Sequence, residues 1–244
     1  MKLHSRVATP EIVDSPSYLT RVEELRAAEK AHMRAGDKVA AARRRLPMVA
    51  VPATTPLQGP DGQLTLADAF EGRQMLIAYY MMWHDGLAAA EQCEGCTFFT
   101  TQVCELANIH SRDVTYATLC QGPYAESRRY RDFMGWTMPW YSAQQSLPTL
   151  LAGRRIGMMY LVCYLQAGGR VFETYFTTMR GVEAMDNSYR LLDLTVYGRQ
   201  EEWEDSPAGW PKDWGRGKGR MRRDDRPIAQ WPRLEAGRSD SLKN

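Results

Sequence analysis

Residues 74–82 (QMLIAYYMM) form the most apolar run of the chain, and together with the segment directly after them they restrict the fold more than any other feature. A run apolar at nearly every position reads as a strand buried on both faces, the kind found at the centre of a helix-covered sheet. A loop, residues 84–92, leads from it to Cys93-Glu94-Gly95-Cys96. Residues 97–109 then read as a helix with Phe98, Val103 and Leu106 turned inward, and residues 114–120 as a second central strand. Residues 124–134 are helical and stop at Gly135, a residue suited to the left-handed conformation that ends a helix. Residues 158–165 and 170–177 flank Gly168-Gly169 as a hairpin, and residues 182–194 close the pattern as a helix. The order strand, Cys pair with helix, strand, helix, hairpin, helix predicts an α/β fold: a mixed central sheet with helices on both faces.

Around this core the chain divides into three parts. Residues 1–46 are an N-terminal helical extension. It starts at Ser15-Pro16, carries Leu19, Val22 and Leu25 on one stripe and then Met33, Val39 and Ala42, is divided at Gly36-Asp37, and ends at Arg43-Arg44-Arg45. Residues 47–198 hold the sheet, with a short strand at 49–51 and a hairpin tip at Gln58-Gly59-Pro60-Asp61-Gly62-Gln63. Residues 199–244 form a basic tail with four of the seven tryptophans, and its last 20 or so residues are expected to be disordered.

The bulk numbers exclude several classes. The net charge of +2 argues against nucleic acid or an anionic membrane as partner. No run approaches the roughly 20 apolar residues of a spanning helix. Residues 1–16 lack the apolar middle of a secretory signal, so a cytoplasmic location is expected. Five cysteines, an odd number, do not suit a secreted disulfide scaffold.

Cys93 and Cys96 are the natural centre of any chemistry. Two cysteines three apart at a helix start place both sulfurs on the first turn, where free N–H groups favour a thiolate. A thiolate attacks disulfides, and the second cysteine resolves the mixed disulfide. The bland alternative is a pair of ordinary thiols. Cys120 and Cys163, in strand-like runs, read as small hydrophobes. His84 and Tyr79, at the end of the central strand, are candidate acid/base groups. Trp83, Met82, Trp136 and Trp140 are candidates to line a pocket for a flat aromatic or quinone-like metabolite, a tailoring activity that would not need the thiols. Simple core packing is the competing reading of the same rings, with His84 capping a loop. A third alternative is a soft-metal site for copper(I) on Cys93, Cys96 and His84; no cofactor is otherwise required. A non-enzymatic binding module, dimerising through its long N-terminal helix, is a fourth.

The blocks Arg43-Arg44-Arg45-Leu46-Pro47-Met48-Val49, Gly59-Pro60-Asp61-Gly62, Leu66-Ala67-Asp68, Phe70-Glu71-Gly72-Arg73, Cys93-Glu94-Gly95-Cys96, Met134-Gly135-Trp136, Pro139-Trp140, Arg180-Gly181 and Gly198-Arg199-Gln200-Glu201 occur in one order. Over about residues 20–214 they resemble the thioredoxin-like family known as domain of unknown function 899, described as predicted dithiol–disulfide oxidoreductases. The resemblance implies a thioredoxin-like fold, a small-molecule or disulfide substrate and a thiol reductant as partner. The chain departs from the pattern in three places. Glu94 stands where the family has Pro, and an acidic neighbour raises a thiol pKa. Tyr80-Met81-Met82-Trp83-His84-Asp85 replaces the usual strand end. Arg155-Ile156-Gly157-Met158 lacks the proline that thioredoxin-like sites place opposite the pair, which implies a specialised member with a smaller or different ligand.

Overall fold

A computed structural model describes residues 8–214 and 219–242. Helix α1, Ser15–Arg43, starts at Asp14, whose carboxylate accepts the Ser17 amide at 2.8 Å, with Pro16 in the first turn. Gly36 does not divide it, because one glycine costs a long helix only about 1 kcal/mol. No residue of α1 is buried: of the expected stripe, Leu19, Leu25, Met33, Val39 and Ala42 face solvent and Val22 is half-buried. No helix among the described residues is long and apolar enough to cross a membrane.

Eight strands form one sheet: β1 (Val49–Val51), β2 (Pro56–Gly59), β3 (Gly62–Thr65), β4 (Met75–Met81), β5 (Val114–Cys120), β6 (Trp140–Ser142), β7 (Tyr160–Ala167) and β8 (Arg170–Thr178). Their order is β1-β8-β7-β4-β5-β6-β2-β3. The central strand β4 is parallel to β5 and antiparallel to β7, and β7–β8 is the hairpin expected around Gly168-Gly169.

Helices α2 (Glu94–Gln102), α3 (Ala107–His110), α4 (Tyr124–Met134) and α5 (Leu147–Leu150) lie between the strands in sequence. The steps β4→α2→β5 and β5→α4→β6 run the same way across the sheet, and right-handed crossovers of that kind put both helices on one face. α5 lies on the return path to β7 and packs against the other face. This mixed sheet, helix-covered on both sides, is the thioredoxin-like α/β fold that the sequence implies. Alternation along β4 builds both cores: Leu76, Ala78 and Tyr80 join Phe70, Leu119, Val162 and Tyr164 on one face, while Tyr79 and Met81 join Cys96, Tyr116, Tyr130 and Trp136 on the other.

Three elements differ from expectation. The helix predicted over 97–109 begins three residues earlier, ends at Gln102 and resumes only as α3. The hydroxyls of Thr97 and Thr101 bond back to the carbonyls of Cys93 (2.8 Å) and Thr97 (2.7 Å), a competition that weakens a helix rich in β-branched residues. The helix predicted over 182–194 is a 3-10 segment, Met179–Met185, followed by α6 (Ser188–Leu192); extended Asp186 separates them and its carboxylate accepts the Tyr189 amide at 2.8 Å.

The third correction concerns the tail. Residues 222–235 fold as a hairpin, β9 (Arg222–Arg223) and β10 (Arg226–Pro227), and a helix, α7 (Trp231–Glu235). This segment packs on α2 rather than staying loose. Its docking is anchored by Gln230, fully buried, whose amide nitrogen donates to the Ala89 carbonyl and the Tyr130 hydroxyl, both at 2.7 Å.

Candidate active site at the start of α2

The site forms where β4 ends and α2 begins. Cys93 is the N-cap of α2, and its Sγ accepts the Cys96 amide at 3.4 Å, so the sulfur itself satisfies one of the free donors of the helix start. All five cysteines are free thiols. Cys93 is partly exposed and Cys96 is fully buried.

The two thiols are electrostatically unequal. A hydrogen bond from the Cys96 thiol, helped by the amides of Cys96 and Gly95, lowers the Cys93 pKa to about 7, against the opposing effects of burial and the Glu94 charge. Burial, reinforced by the neighbouring Cys93, pushes Cys96 well above its ordinary 9. The difference separates a thiolate at the rim from a protonated thiol beneath it.

Met82, at the end of β4, touches both: its amide donates to Cys96 Sγ at 3.3 Å and its Sδ lies 3.8 Å from Cys93 Sγ. Tyr79 is wholly buried beside the pair. Burial first, then the charge of Cys96, raises its pKa well above 10, so it stays protonated at neutral pH and cannot serve as a base there. His84 is held through its backbone: Gln92, fully buried, accepts the His84 amide at 3.1 Å and donates to the His84 carbonyl at 2.9 Å, closing the loop before the pair. Cys93, Cys96 and His84 do not gather into a metal-holding set, and among the described residues no three of His, Cys, Asp or Glu do so. Cys120 is buried, which pushes its thiol up to about 12.

The predicted ring cluster is placed inside the protein. Trp136 and Trp140 are buried and stack on each other at 5.5 Å, with Tyr130 edge-on to Trp136 at 5.4 Å. Their indole nitrogens donate to Thr101 and Ser127. Trp83 sits edge-on to Tyr130 at 5.6 Å and donates to Glu126 at 3.1 Å. Its ring lies so close to Gly122 that a β-carbon there would overlap it. An aromatic-walled cavity of about 500 Å³ does exist next to α2, but its rings are Phe98, Tyr189 and Trp214.

Two residues that the motif reading did not single out complete the site. Arg222 of β9 pairs with Glu94 at 2.7 Å and donates to the carbonyls of Ala90 (2.6 Å) and Gln92 (2.9 Å). Thr97, one turn into α2, shares a 2.7 Å hydrogen bond with the Tyr130 hydroxyl, which ties α2 to α4 and, through Gln230, to the tail. Arg222 lies in a basic run that reads as a solvated end, so local pattern carried no signal for it. At the position facing the pair, Met159 precedes β7 with its methyl close to Gly95, and no cis peptide occurs among the described residues.

A thioredoxin from Wuchereria bancrofti is similar to 59% of this chain and 96% of its own, with 16% identity and a TM-score of 0.36. No functionally curated protein matches. The family described as "Bacterial protein of unknown function (DUF899)" matches residues 7–226, nearly the whole chain, and the chain belongs to it.

Proposed function

We propose that the protein is a thiol–disulfide oxidoreductase acting on a small disulfide, with Cys93 as the attacking group and Cys96 as the resolving one. The observation that carries this reading is the asymmetry of the pair: a Cys93 thiol lowered to about 7 at the helix start, directly over a buried Cys96 held well above 9. A thiol with a pKa near ambient pH combines a large thiolate fraction with useful nucleophilicity.

In the proposed cycle the Cys93 thiolate attacks one sulfur of a disulfide, expelling the first thiolate product and forming a mixed disulfide. Cys96 loses its proton and attacks Cys93 Sγ, expelling the second thiolate. The substrate gains two electrons, and the protein gains a Cys93–Cys96 disulfide that a thiol reductant returns to the dithiol. Helix α2 and the amide of Met82 hold Cys96 in place for the second step.

The test is reduction of bis(2-hydroxyethyl) disulfide under a supply of dithiothreitol, with peptide mapping of the enzyme after substrate is added without reductant. The expected result is turnover, a mapped Cys93–Cys96 bond, and loss of both in Cys93→Ser. Full activity in Cys93→Ser would end this reading.

A further inference from the structure

Glu94 should be a liability next to Cys93, since an acidic neighbour opposes a thiolate. The structure answers this from 128 residues away in sequence. Arg222 places Nε 2.7 Å from the Glu94 carboxylate, while its two terminal nitrogens take the carbonyls of Ala90, Gln92 and Asp225. The guanidinium uses its planar fork on four partners at once, a geometry that lysine cannot reproduce. Its side chain is only 22% exposed, so the pair is less screened than a surface bridge.

We infer that Arg222 is a positioning residue for Cys93: it neutralises Glu94 and fixes the 90–92 loop, so that the docked tail keeps Cys93 reactive. The other titratable groups around Cys93 are Cys96 on α2, Tyr79 on β4 and Tyr130 on α4. Burial raises all three, so they stay protonated at neutral pH and leave Glu94 as the acidic charge that counts. The tail's part is therefore electrostatic as well as structural. The inference takes Cys93 as the reacting thiol, but rests on contacts that exist whatever that thiol's substrate is.

The test is the pH profile of Cys93 alkylation by iodoacetamide in the reduced full-length protein, read by peptide mass spectrometry. Arg222→Gln removes the charge and the two terminal nitrogens that hold the carbonyls, and keeps a donor only at the Nε position facing Glu94. Its midpoint is expected to move up by roughly half to one pH unit, with a several-fold slower reaction at pH 7. Glu94→Gln is expected to move the midpoint down, because the guanidinium then stands unopposed near the sulfur. The double variant is expected to return close to the unaltered protein. An unmoved midpoint in Arg222→Gln, or a double variant that keeps the full upward shift, overturns the inference. Should Arg222→Gln fail to fold, Glu94→Gln decides alone, and an unmoved midpoint there overturns it too. Alkylation reads the thiol without turnover, so failure of the disulfide-reductase reading and failure of this one remain distinguishable.

Discussion

The backbone amide of Met82 donates to the Sγ of Cys96 at 3.3 Å, so the end of the central strand is bonded directly to the buried thiol of the pair. Strand β4 is held on both sides by β5 and β7, and it passes that rigidity to the sulfur. Cys93, one helical turn away, has Met82 Sδ and the amide of Cys96 as its partners and keeps part of its surface open.

This arrangement sets the order in which the thiols react. Cys93 is lowered to about 7, whereas burial raises Cys96 far above 9 and Cys120 to about 12. Iodoacetamide at pH 7.5 is expected to modify Cys93 at least tenfold faster than Cys96 or Cys120, as counted by peptide mass spectrometry. The Cys93 rate should rise through pH 7 and level off above pH 8. Equal labelling of Cys93 and Cys96 would contradict the asymmetry.

The same shift makes stability depend on pH. A cysteine at about 7 in the folded chain and about 9 when unfolded binds fewer protons folded than unfolded between those values. The slope of unfolding free energy with pH is then positive. The contribution is fully present above about pH 9 and is lost as pH falls through about 7. Because Cys93 and Cys96 titrate as a pair, the gain falls short of the full two-unit shift, and about 1–2 kcal/mol is expected. Cys96 and Cys120, raised on folding, lower the stability of any variant that keeps them as pH nears 9. The gain is therefore read as the difference between the unaltered protein and Cys93→Ser, which urea unfolding of the reduced proteins at pH 6.5 and 9 should show growing with pH.

How much of this was legible in the sequence depends on how local each cause is. The apolar run at 74–82 and Gly168-Gly169 are local signals, and β4 and the β7–β8 hairpin stand where those signals put them, while α2 begins on the Cys pair itself, three residues before the predicted helix. The helix predicted over 97–109 stops early because Thr97 and Thr101 bond to their own backbone, a competition that apolar spacing does not register. Trp136 and Trp140 are aromatic in either a pocket or a core, and only their stacking against each other and against Tyr130 decides which. Arg222 is the extreme case: no pattern within a basic tail says that one arginine reaches back to Glu94.

Tyr80 on β4 and Tyr164 on β7, four register positions apart on the same buried face of the sheet, meet at their tips with their hydroxyls 2.7 Å apart. Removing one hydroxyl leaves the other unsatisfied in an apolar core, at a cost of about 1–3 kcal/mol. Tyr80→Phe and Tyr164→Phe are each expected to lower stability by that amount in urea denaturation. The double variant should lose less than the sum of the two, because two phenylalanines leave no orphan behind. Strict additivity would mean that the hydroxyls do not depend on one another.

Gln230 tests whether the tail is held by a bond or by bulk. Its buried amide bridges the Ala89 carbonyl before the Cys pair and the Tyr130 hydroxyl of α4, so it joins the tail to both elements that frame the site. Gln230→Ala removes both bonds and the one that Arg226 donates to its side-chain oxygen at 2.8 Å. Tyr130 keeps Thr97 and the Ala89 carbonyl keeps the Gln92 amide, so the cost is that of the lost bonds, about 1–3 kcal/mol together. That cost falls on the docking of residues 219–235 rather than on the sheet, whose strands Gln230 does not touch through these bonds. Arg222 and Arg223 form β9, directly before the turn of the hairpin, and both are trypsin sites. Local opening exposes them in proportion to its equilibrium constant when reclosing is fast. Cleavage at these two arginines is therefore expected to speed up by tenfold or more in Gln230→Ala, while the melting temperature of the core shifts by only a few degrees. A proteolysis rate that does not change would show that the tail is held by its other contacts, chiefly the four-partner grip of Arg222.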